Sequence, residues 1–252
     1  MKRFFCRSAW QGLSRALLLV CVMSVVASAG YANAKNFVVF GITLEPEGLD
    51  PTRAPEAAIG EVVHYNVLEG LVRIEENGDT SPLLAESWII SPDGRNYRFR
   101  LRQGLRFHDG KPFDASAVKF SIERAKAPGS GNKLRSTLFE NIVAVTAPDP
   151  YTVVLELARP DPNLLFRLGE SAAVILHPDS AARAANAPVG TGPFRFSQRQ
   201  KGHSITLEKW QDHPRAASVQ LERAVFRFTS TFVDDSALPP EVDVFFNFVT
   251  RS

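Results

Sequence analysis

Histidine is the side chain that most often acts as an acid, a base or a metal ligand near neutral pH. The sequence contains five: His64, His108, His177, His203 and His213. A zinc hydrolase needs two of them on one helical face with a glutamate between, as in H-E-x-x-H. The histidines are instead scattered along the chain, and none forms a close pair with ligand spacing. The sequence therefore predicts no metal site.

The sequence also lacks the common patterns for nucleophilic catalysis and phosphate binding. Neither the G-x-S-x-G turn of serine hydrolases nor the G-K-[ST] ending of a phosphate loop occurs. Gly190-Thr191-Gly192 is a loop with two glycines, whereas the dinucleotide-binding pattern needs a third. We predict no catalytic residue and no cofactor. A hydrolase that uses a dispersed pair of carboxylates stays open as an alternative.

Three arginines alternate with apolar side chains in the segment YRFRLR: Arg98, Arg100 and Arg102 against Tyr97, Phe99 and Leu101. Side chains of a strand point alternately to its two faces, so the arginines share one face. Clean alternation is typical of an antiparallel sheet with one face in solvent. We therefore interpret the arginine row as a solvated face, the alternative being a surface for an acidic partner.

The apolar pattern predicts the elements that hold these residues. Phe37–Thr43 is a continuous apolar run, typical of a strand buried on both faces. Apolar residues at three-to-four spacing predict a helix over Pro55–Leu71, and Asp114 can cap a helix over Ala115–Ala125. Further strands are predicted at Leu71–Ile74, Trp88–Ile90, Tyr97–Leu101, Ile142–Thr146, Tyr151–Leu157, Phe194–Ser197, Ile205–Trp210, Arg223–Thr229 and Val242–Phe248, and further helices at Asn163–Leu168 and Pro178–Ala187.

The N-terminus has the three parts of a secretory signal peptide. Four basic residues precede Ala16–Ala29, a short apolar run, and Ala32-Asn33-Ala34 resembles a cleavage site. The run is shorter than the ~20 apolar residues of a spanning helix. Val20, just before Cys21, is not small, which argues against a lipoprotein. We predict a signal peptide over residues 1–34 and a soluble chain exported to the periplasm.

Removal of this segment changes the class of protein that the composition suggests. Both cysteines and four basic residues lie within it, so the formal charge of +2 becomes −2 and no thiol remains. Nucleic-acid-binding proteins usually carry a basic excess on one face, so we predict no nucleic-acid partner. The remaining chain of roughly 220 residues can bury a core without disulfides.

Three segments resemble a known family. They are GITLEPEGLDP from Gly41, the long segment LLAESWIISPDGRNYRFRLRQGLRFHDGKPFDASAVKFSIERA from Leu83 to Ala125, and APVGTGPFRF from Ala187. Together they resemble the extracytoplasmic solute-binding proteins of ABC importers for peptides and nickel, family 5. The long segment is highly specific, whereas the glycine loop alone would be a weak signal.

The resemblance implies an α/β protein whose two lobes close on a peptide-like solute and then dock on permease subunits in the inner membrane. It implies a periplasmic-binding-protein-like first lobe over residues 35–252, built on a mixed sheet with helices. A subdomain of β-hairpins and a helix is inserted at about residues 70–180. Because the family continues well beyond the strand that resembles Val242–Phe248, we expect the second lobe to be absent. We also expect the protein to be a monomer.

The resemblance also implies the solute-binding residues. The loop after the first strand contacts solute in the family, which indicates Glu45, Pro46 and Glu47. Phe120 matches a position that lines the cleft in some relatives, and Thr191 and Gly192 are weaker matches. For each a structural alternative stays open: solvated loop charge for Glu45 and Glu47, core packing for Phe120, and a structural turn for Thr191 and Gly192.

The expected function is capture of a solute and its delivery to the permease, with no bond-making step. Relatives of this type bind peptides, nickel complexes, haem, glutathione or sugars, so the resemblance does not select one solute. Two alternatives remain: a truncated, non-functional remnant of such a protein, and an exported hydrolase.

Overall fold

The computed structural model describes residues 35–54, 56–132, 134–229 and 240–246. The predicted signal peptide and the end of the last predicted strand lie outside these ranges. None of the helices within them is both long enough and apolar enough to cross a membrane.

The described ranges contain eleven strands and five α-helices. The strands are β1 (Phe37–Ile42), β2 (Val72–Ile74), β3 (Thr80–Pro82), β4 (Ala85–Ile90), β5 (Asn96–Leu101), β6 (Ile142–Asp149), β7 (Thr152–Leu157), β8 (Phe194–Gln200), β9 (Ser204–Lys209), β10 (Arg223–Phe228) and β11 (Val244–Phe246). The helices are α1 (Ala57–Val63), α2 (Ala115–Lys126), α3 (Arg135–Phe139), α4 (Leu164–Leu168) and α5 (Pro178–Ala181).

A five-stranded mixed sheet has the order β11-β1-β10-β9-β8. Strand β1 is parallel to β10 and β11, whereas β9 is antiparallel to both β10 and β8. The predicted mixed sheet is therefore confirmed. The expectation that β1 is buried on both faces is wrong for Phe37, Val38 and Phe40, which are half-buried. Within the described part of the chain, β1 pairs with β10 along its whole length on one side and with only the three residues of β11 on the other.

A four-stranded antiparallel sheet follows the order β4-β5-β7-β6 and is made of the two predicted hairpins. In β5, Tyr97, Phe99 and Leu101 are buried in a core cluster that also contains residues of α2, while the arginines between them are exposed. The alternation in the sequence is thus confirmed as one buried and one solvated face. Asp114 caps α2 as predicted, accepting hydrogen bonds from the amides of Ser116 (2.9 Å) and Ala117 (3.2 Å).

Two hydrophobic clusters form the core, one under each sheet. Helix α2 joins them, because the Ser121 hydroxyl donates to the Leu176 carbonyl (3.0 Å) and accepts from the Leu176 amide (2.8 Å). These reciprocal bonds satisfy polar groups that burial would otherwise make costly.

Two predicted helices are shorter than expected. Helix α1 ends at Val63, and Tyr65 takes a left-handed conformation (φ 60°). The Tyr65 hydroxyl donates to the Gly169 carbonyl and accepts from the Ile74 amide, both at 2.9 Å. These tertiary bonds hold a turn where the apolar period alone predicts continued helix.

The second helix, predicted over Pro178–Ala187, ends at Ala181. Beyond it the Ala185 carbonyl accepts a hydrogen bond from the Leu49 amide (2.9 Å). The loop after β1 thus hydrogen-bonds to the Ala185 carbonyl. In a continued helix this carbonyl would point along the helix axis.

Strand β6 ends the four-stranded sheet in the described part of the chain, and two lysines of α2 cover its outer edge. Ile142 pairs with Leu157, and the Leu157 amide donates to the carbonyl of Arg95, the residue before β5 (2.8 Å). Leu157 therefore directs its backbone N–H and C=O groups away from β6. In an antiparallel pair of this kind the residue opposite does the same, so the backbone N–H and C=O groups of Ile142 point away from β7. Lys126 donates to the Ile142 carbonyl, and Lys119 donates to the Val145 carbonyl at 2.9 Å.

We expect the double substitution Lys119→Met and Lys126→Met to cause self-association through β6. Methionine keeps an apolar stem but removes the ammonium groups, which leaves two carbonyls free to pair with another strand. Light scattering after size-exclusion chromatography should show a mass that rises with concentration towards a dimer. Lys111→Met is the matched control, because Lys111 forms an exposed ion pair with Asp179 away from any strand edge. Identical elution of all variants and wild type would contradict the expectation.

Candidate functional site

The carboxyl ends of β1 and β10 lie at one edge of the five-stranded sheet, here called the carboxyl edge. The Thr229 amide donates to the Ile42 carbonyl (3.0 Å), which joins the ends of the two strands. The tight turn between β8 and β9 reaches the same edge, because the Phe228 amide donates to the His203 carbonyl (2.9 Å). Solutes of open α/β sheets bind outside such carboxyl ends, so this edge is the candidate site.

Glu45 lies in the loop that leaves β1 at the carboxyl edge. Its Oε1 accepts from the Arg199 guanidinium (2.7 Å) and its Oε2 from the Gly202 amide (2.8 Å). The hydrogen bond from Arg199 is the main reason that the pKa of Glu45 lies below its usual value, while desolvation opposes it. Glu45 therefore forms its ion pair within the chain, with Arg199, and its predicted contact with solute stays a prediction.

The neighbours of Glu45 differ in exposure. Pro46 is buried and its carbonyl accepts from Arg199, while Glu47 is exposed. Leu44 is 68% exposed, which is high for a large apolar side chain. The loop therefore presents the apolar side chain of Leu44 and the acidic side chain of Glu47 to solvent. Between them, Glu45 and Pro46 are hydrogen-bonded to Arg199.

Phe120 is half-buried and packs against the core cluster of the five-stranded sheet. One turn later on α2, Arg124 forms an ion pair with the buried Asp50 (2.6 Å) and also donates to Thr52. Helix α2 thus holds the far end of the loop that carries Glu45. The predicted contact of Phe120 with solute stays a prediction, and its burial favours the packing role.

Thr191 points into the protein rather than outward. It is 3% exposed, and its hydroxyl donates to Oε2 of Glu69 at 2.9 Å. Burial raises the pKa of Glu69, and Arg215 lies 3.6 Å from its other oxygen. The geometry favours a structural role for Thr191, whose contact with solute stays a prediction.

Gly190 and Gly192 pass directly over the turn after α1, where a Cβ on Gly192 would overlap the Asn66 carbonyl oxygen. His108 clamps the loop: one ring nitrogen lies 2.9 Å from the Gly192 carbonyl and the other accepts from the Gly190 amide (3.3 Å). This pattern assigns the proton to Nε2. Burial lowers the pKa of His108 to about 4, so the ring is neutral at pH 7. As with Thr191, solute contact by Gly192 stays a prediction.

The histidines also show no catalytic arrangement in the ranges that the structure describes. Each hydrogen bond of a histidine ring there goes to a backbone group. The same ranges contain no cluster of three histidine, cysteine or acidic residues suited to a metal ion. The arrangement can hold a solute by hydrogen bonds and apolar contact, and it provides no visible base–nucleophile pair.

Sequence reasoning missed Arg199, Asp50 and Arg124. Glu45 and Arg199 are 154 positions apart, and no local pattern marks either as one half of a pair. Asp50 and Arg124 differ from other loop acids and helix arginines only in their burial. Asp50 is followed by a proline, which is not a specific signal, and nothing in the local sequence marks Arg199 or Arg124.

Comparison with known proteins resolves the family. Residues 79–238 match the model of the bacterial extracellular solute-binding proteins, family 5 Middle. The chain belongs to this family. The glutathione-binding protein GsiB of Pectobacterium atrosepticum is 31% identical over 208 residues, which are 81% of this chain and 40% of that protein.

Solved structures of similar binding proteins confirm the predicted fold class. The binding protein AgaA of A. tumefaciens R10, in complex with agropinic acid, is 34% identical with a TM-score of 0.71, over 77% of this chain and 40% of its own. DppA of Helicobacter pylori, in complex with the peptide STSA, is 29% identical with a TM-score of 0.69, over 77% of this chain and 43% of its own. The chain therefore spans about 40% of the length of these relatives, as expected for a first lobe.

Proposed function

We propose that this family 5 chain is the solute-binding component of an ABC importer for peptides or a peptide-like solute. The match to the family over residues 79–238 is the observation that carries the proposal. The relatives' solutes include glutathione and the peptide STSA, which supports a peptide-like solute here. The relatives are solute-binding proteins, which is consistent with a function without bond-making chemistry.

The proposal includes a cellular location and a partner. Residues 1–34 direct export to the periplasm as a cleavable signal peptide without lipidation, and residues 35–252 form the family domain with a subdomain inserted at about 70–180. The protein acts as a monomer and delivers solute to inner-membrane permease subunits. Family membership and the periplasmic description of DppA support this location.

The proposed solute site is the carboxyl edge of the five-stranded sheet. Extended peptides are commonly held by backbone hydrogen bonds, with pockets that recognise individual side chains. The partly exposed loop that leaves β1 offers both kinds of contact. The proposed contact residues are Glu45, Pro46, Glu47, Phe120, Thr191 and Gly192.

We expect glutathione or the peptide STSA to shift the amide NMR signals of residues 43–50 in the full chain. Binding at the carboxyl edge changes the surroundings of this loop first, and NMR detects even weak binding. Glu47→Gln should weaken the binding about threefold to tenfold, because it removes an exposed carboxylate from the proposed site. Glu76→Gln, in the exposed turn between β2 and β3, is the matched control and should leave affinity unchanged.

Two outcomes would contradict the proposal. One is the absence of any shift with glutathione, STSA and Ni(L-His) at millimolar concentrations. The other is a set of shifts confined to the four-stranded sheet, with equal affinity in the Glu47 and Glu76 variants. Turnover of a probe peptide that one alanine substitution abolishes would favour the hydrolase alternative instead.

A further inference from the structure

One guanidinium group organises the loop between β1 and α1. Arg199, near the end of β8, donates to Oε1 of Glu45 through both Nε (3.2 Å) and a terminal nitrogen (2.7 Å). The same terminal nitrogen donates to the Pro46 carbonyl. A planar guanidinium presents several donors in a fixed fork, which suits simultaneous contact with a carboxylate and a main-chain oxygen.

The second oxygen of Glu45 completes the arrangement. It accepts from the amide of Gly202, in the turn between β8 and β9, at 2.8 Å. Gly202 has φ of 72°, a backbone conformation that side chains rarely adopt. The carboxylate therefore links the loop after β1 to the turn after β8 through one side-chain donor and one backbone donor.

These bonds lie between two other anchor points of the loop. At its start the Ile42 carbonyl accepts from Thr229, and further along the Leu49 amide donates to Ala185. Between these points, Arg199 holds both Glu45 and Pro46. The side chains of the ion pair are only partly exposed, 25% for Glu45 and 20% for Arg199, so solvent screens them less than a surface pair.

The arrangement decides which groups face the candidate site. Both carboxylate oxygens of Glu45 already have donors within the chain, and the positive charge of Arg199 compensates the negative charge of Glu45. Leu44, the residue before it, is 68% exposed. The loop thus offers an apolar side chain to a solute, while its first carboxylate is held by the protein.

We propose that Arg199 is a positioning residue for the solute site: it holds residues 43–46 at the carboxyl edge and keeps the Glu45 carboxylate bound within the chain, so that Leu44 faces the solute. This inference rests on the proposed function. It assigns the Glu45 carboxylate to donors within the chain, so the contact of Glu45 with solute proposed above would be made by its backbone. Its first two tests need no solute.

Hydrogen exchange of the full chain tests the geometry. In Arg199→Ala the Gly202 amide loses the carboxylate that Arg199 holds in place, and we expect this amide to exchange at least about tenfold faster. Arg195→Ala is the matched control, because Arg195 lies on the same strand and faces Glu208 at 3.7 Å with 53% exposure. Exchange at Gly202 that is equal in wild type and both variants would overturn the proposal.

Titration of Glu45 by carboxyl NMR measures the pKa of this carboxyl group, which a mere loss of packing would leave unchanged. Arg199→Ala should raise the pKa of Glu45 towards its usual value, because the guanidinium hydrogen bond is the main cause of its depression. Arg199→Lys should retain part of the depression but not the slow exchange of Gly202, since an ammonium lacks the fork. An unchanged Glu45 titration in Arg199→Ala would also overturn the proposal.

A third arm links the residue to binding. With glutathione or STSA as the probe, Arg199→Ala should lose about tenfold in affinity and Arg195→Ala should lose none. Equal affinity of wild type and Arg199→Ala would contradict the positioning role. If wild type binds neither probe, the proposed function loses its support, while exchange and titration still decide whether Arg199 holds the loop.

Discussion

Alanine in place of Gly190 is expected to lower the free energy of unfolding by about 3 kcal/mol or more. A Cβ at this position would overlap the Val67 carbonyl oxygen and lie 2.8 Å from both the Val67 carbonyl carbon and a methyl group of Leu68. The backbone of Val67 cannot retreat, because its carbonyl accepts from the Gly192 amide and its own amide is bonded to Val63. Urea denaturation followed by circular dichroism measures the change.

Gly60→Ala is the matched control for this prediction. Its Cβ would lie 3.6 Å from the Ser171 hydroxyl, an ordinary contact, and Gly60 is within α1. Alanine in a helix is more favourable than glycine by up to about 1 kcal/mol, so this variant should be as stable as wild type or more stable. A loss below about 1 kcal/mol in Gly190→Ala would show that the loop can move away from the turn.

Methionine in place of Arg124 is expected to cost about 3 kcal/mol of stability. The side chain of Asp50 is 2% exposed and has Arg124 as its cationic partner at 2.6 Å. Without the arginine this carboxylate stays buried and keeps only the amide and hydroxyl of Thr52 as donors. Removing one partner of a buried ion pair is costly because the remaining charge is uncompensated. Thermal and urea denaturation of the full chain measure the loss.

Arg100→Met is the control, because Arg100 pairs with Glu86 where both side chains are exposed, 67% and 39%. Such surface pairs contribute at most about 1 kcal/mol. The double variant Asp50→Asn with Arg124→Met should recover part of the loss, since it also removes the buried charge. Equal stability of Arg124→Met and wild type would mean that water reaches Asp50 and replaces the arginine.

Local chemistry was sufficient to predict much of the fold and the family. The alternation in β5, the cap at Asp114 and the two hairpins are confirmed, because each depends on residues at most a few positions apart. The spacing of apolar residues and the capping residues indicate which side of a segment is buried and where a helix begins. The segment Leu83–Ala125 was specific enough to indicate the family, and the match of residues 79–238 to the family model confirms it.

Tertiary structure alone decided where α1 ends and how the candidate site is built. Apolar residues continue at helical spacing past Val63, yet bonds from Tyr65 to distant backbone groups favour a turn. Glu45 could be a solvated loop acid by sequence, and only the position of the β8–β9 turn at the carboxyl edge places Arg199 and Gly202 against it. Periodicity records which side of a segment is buried, whereas partners 154 positions apart depend on the whole path of the chain between them.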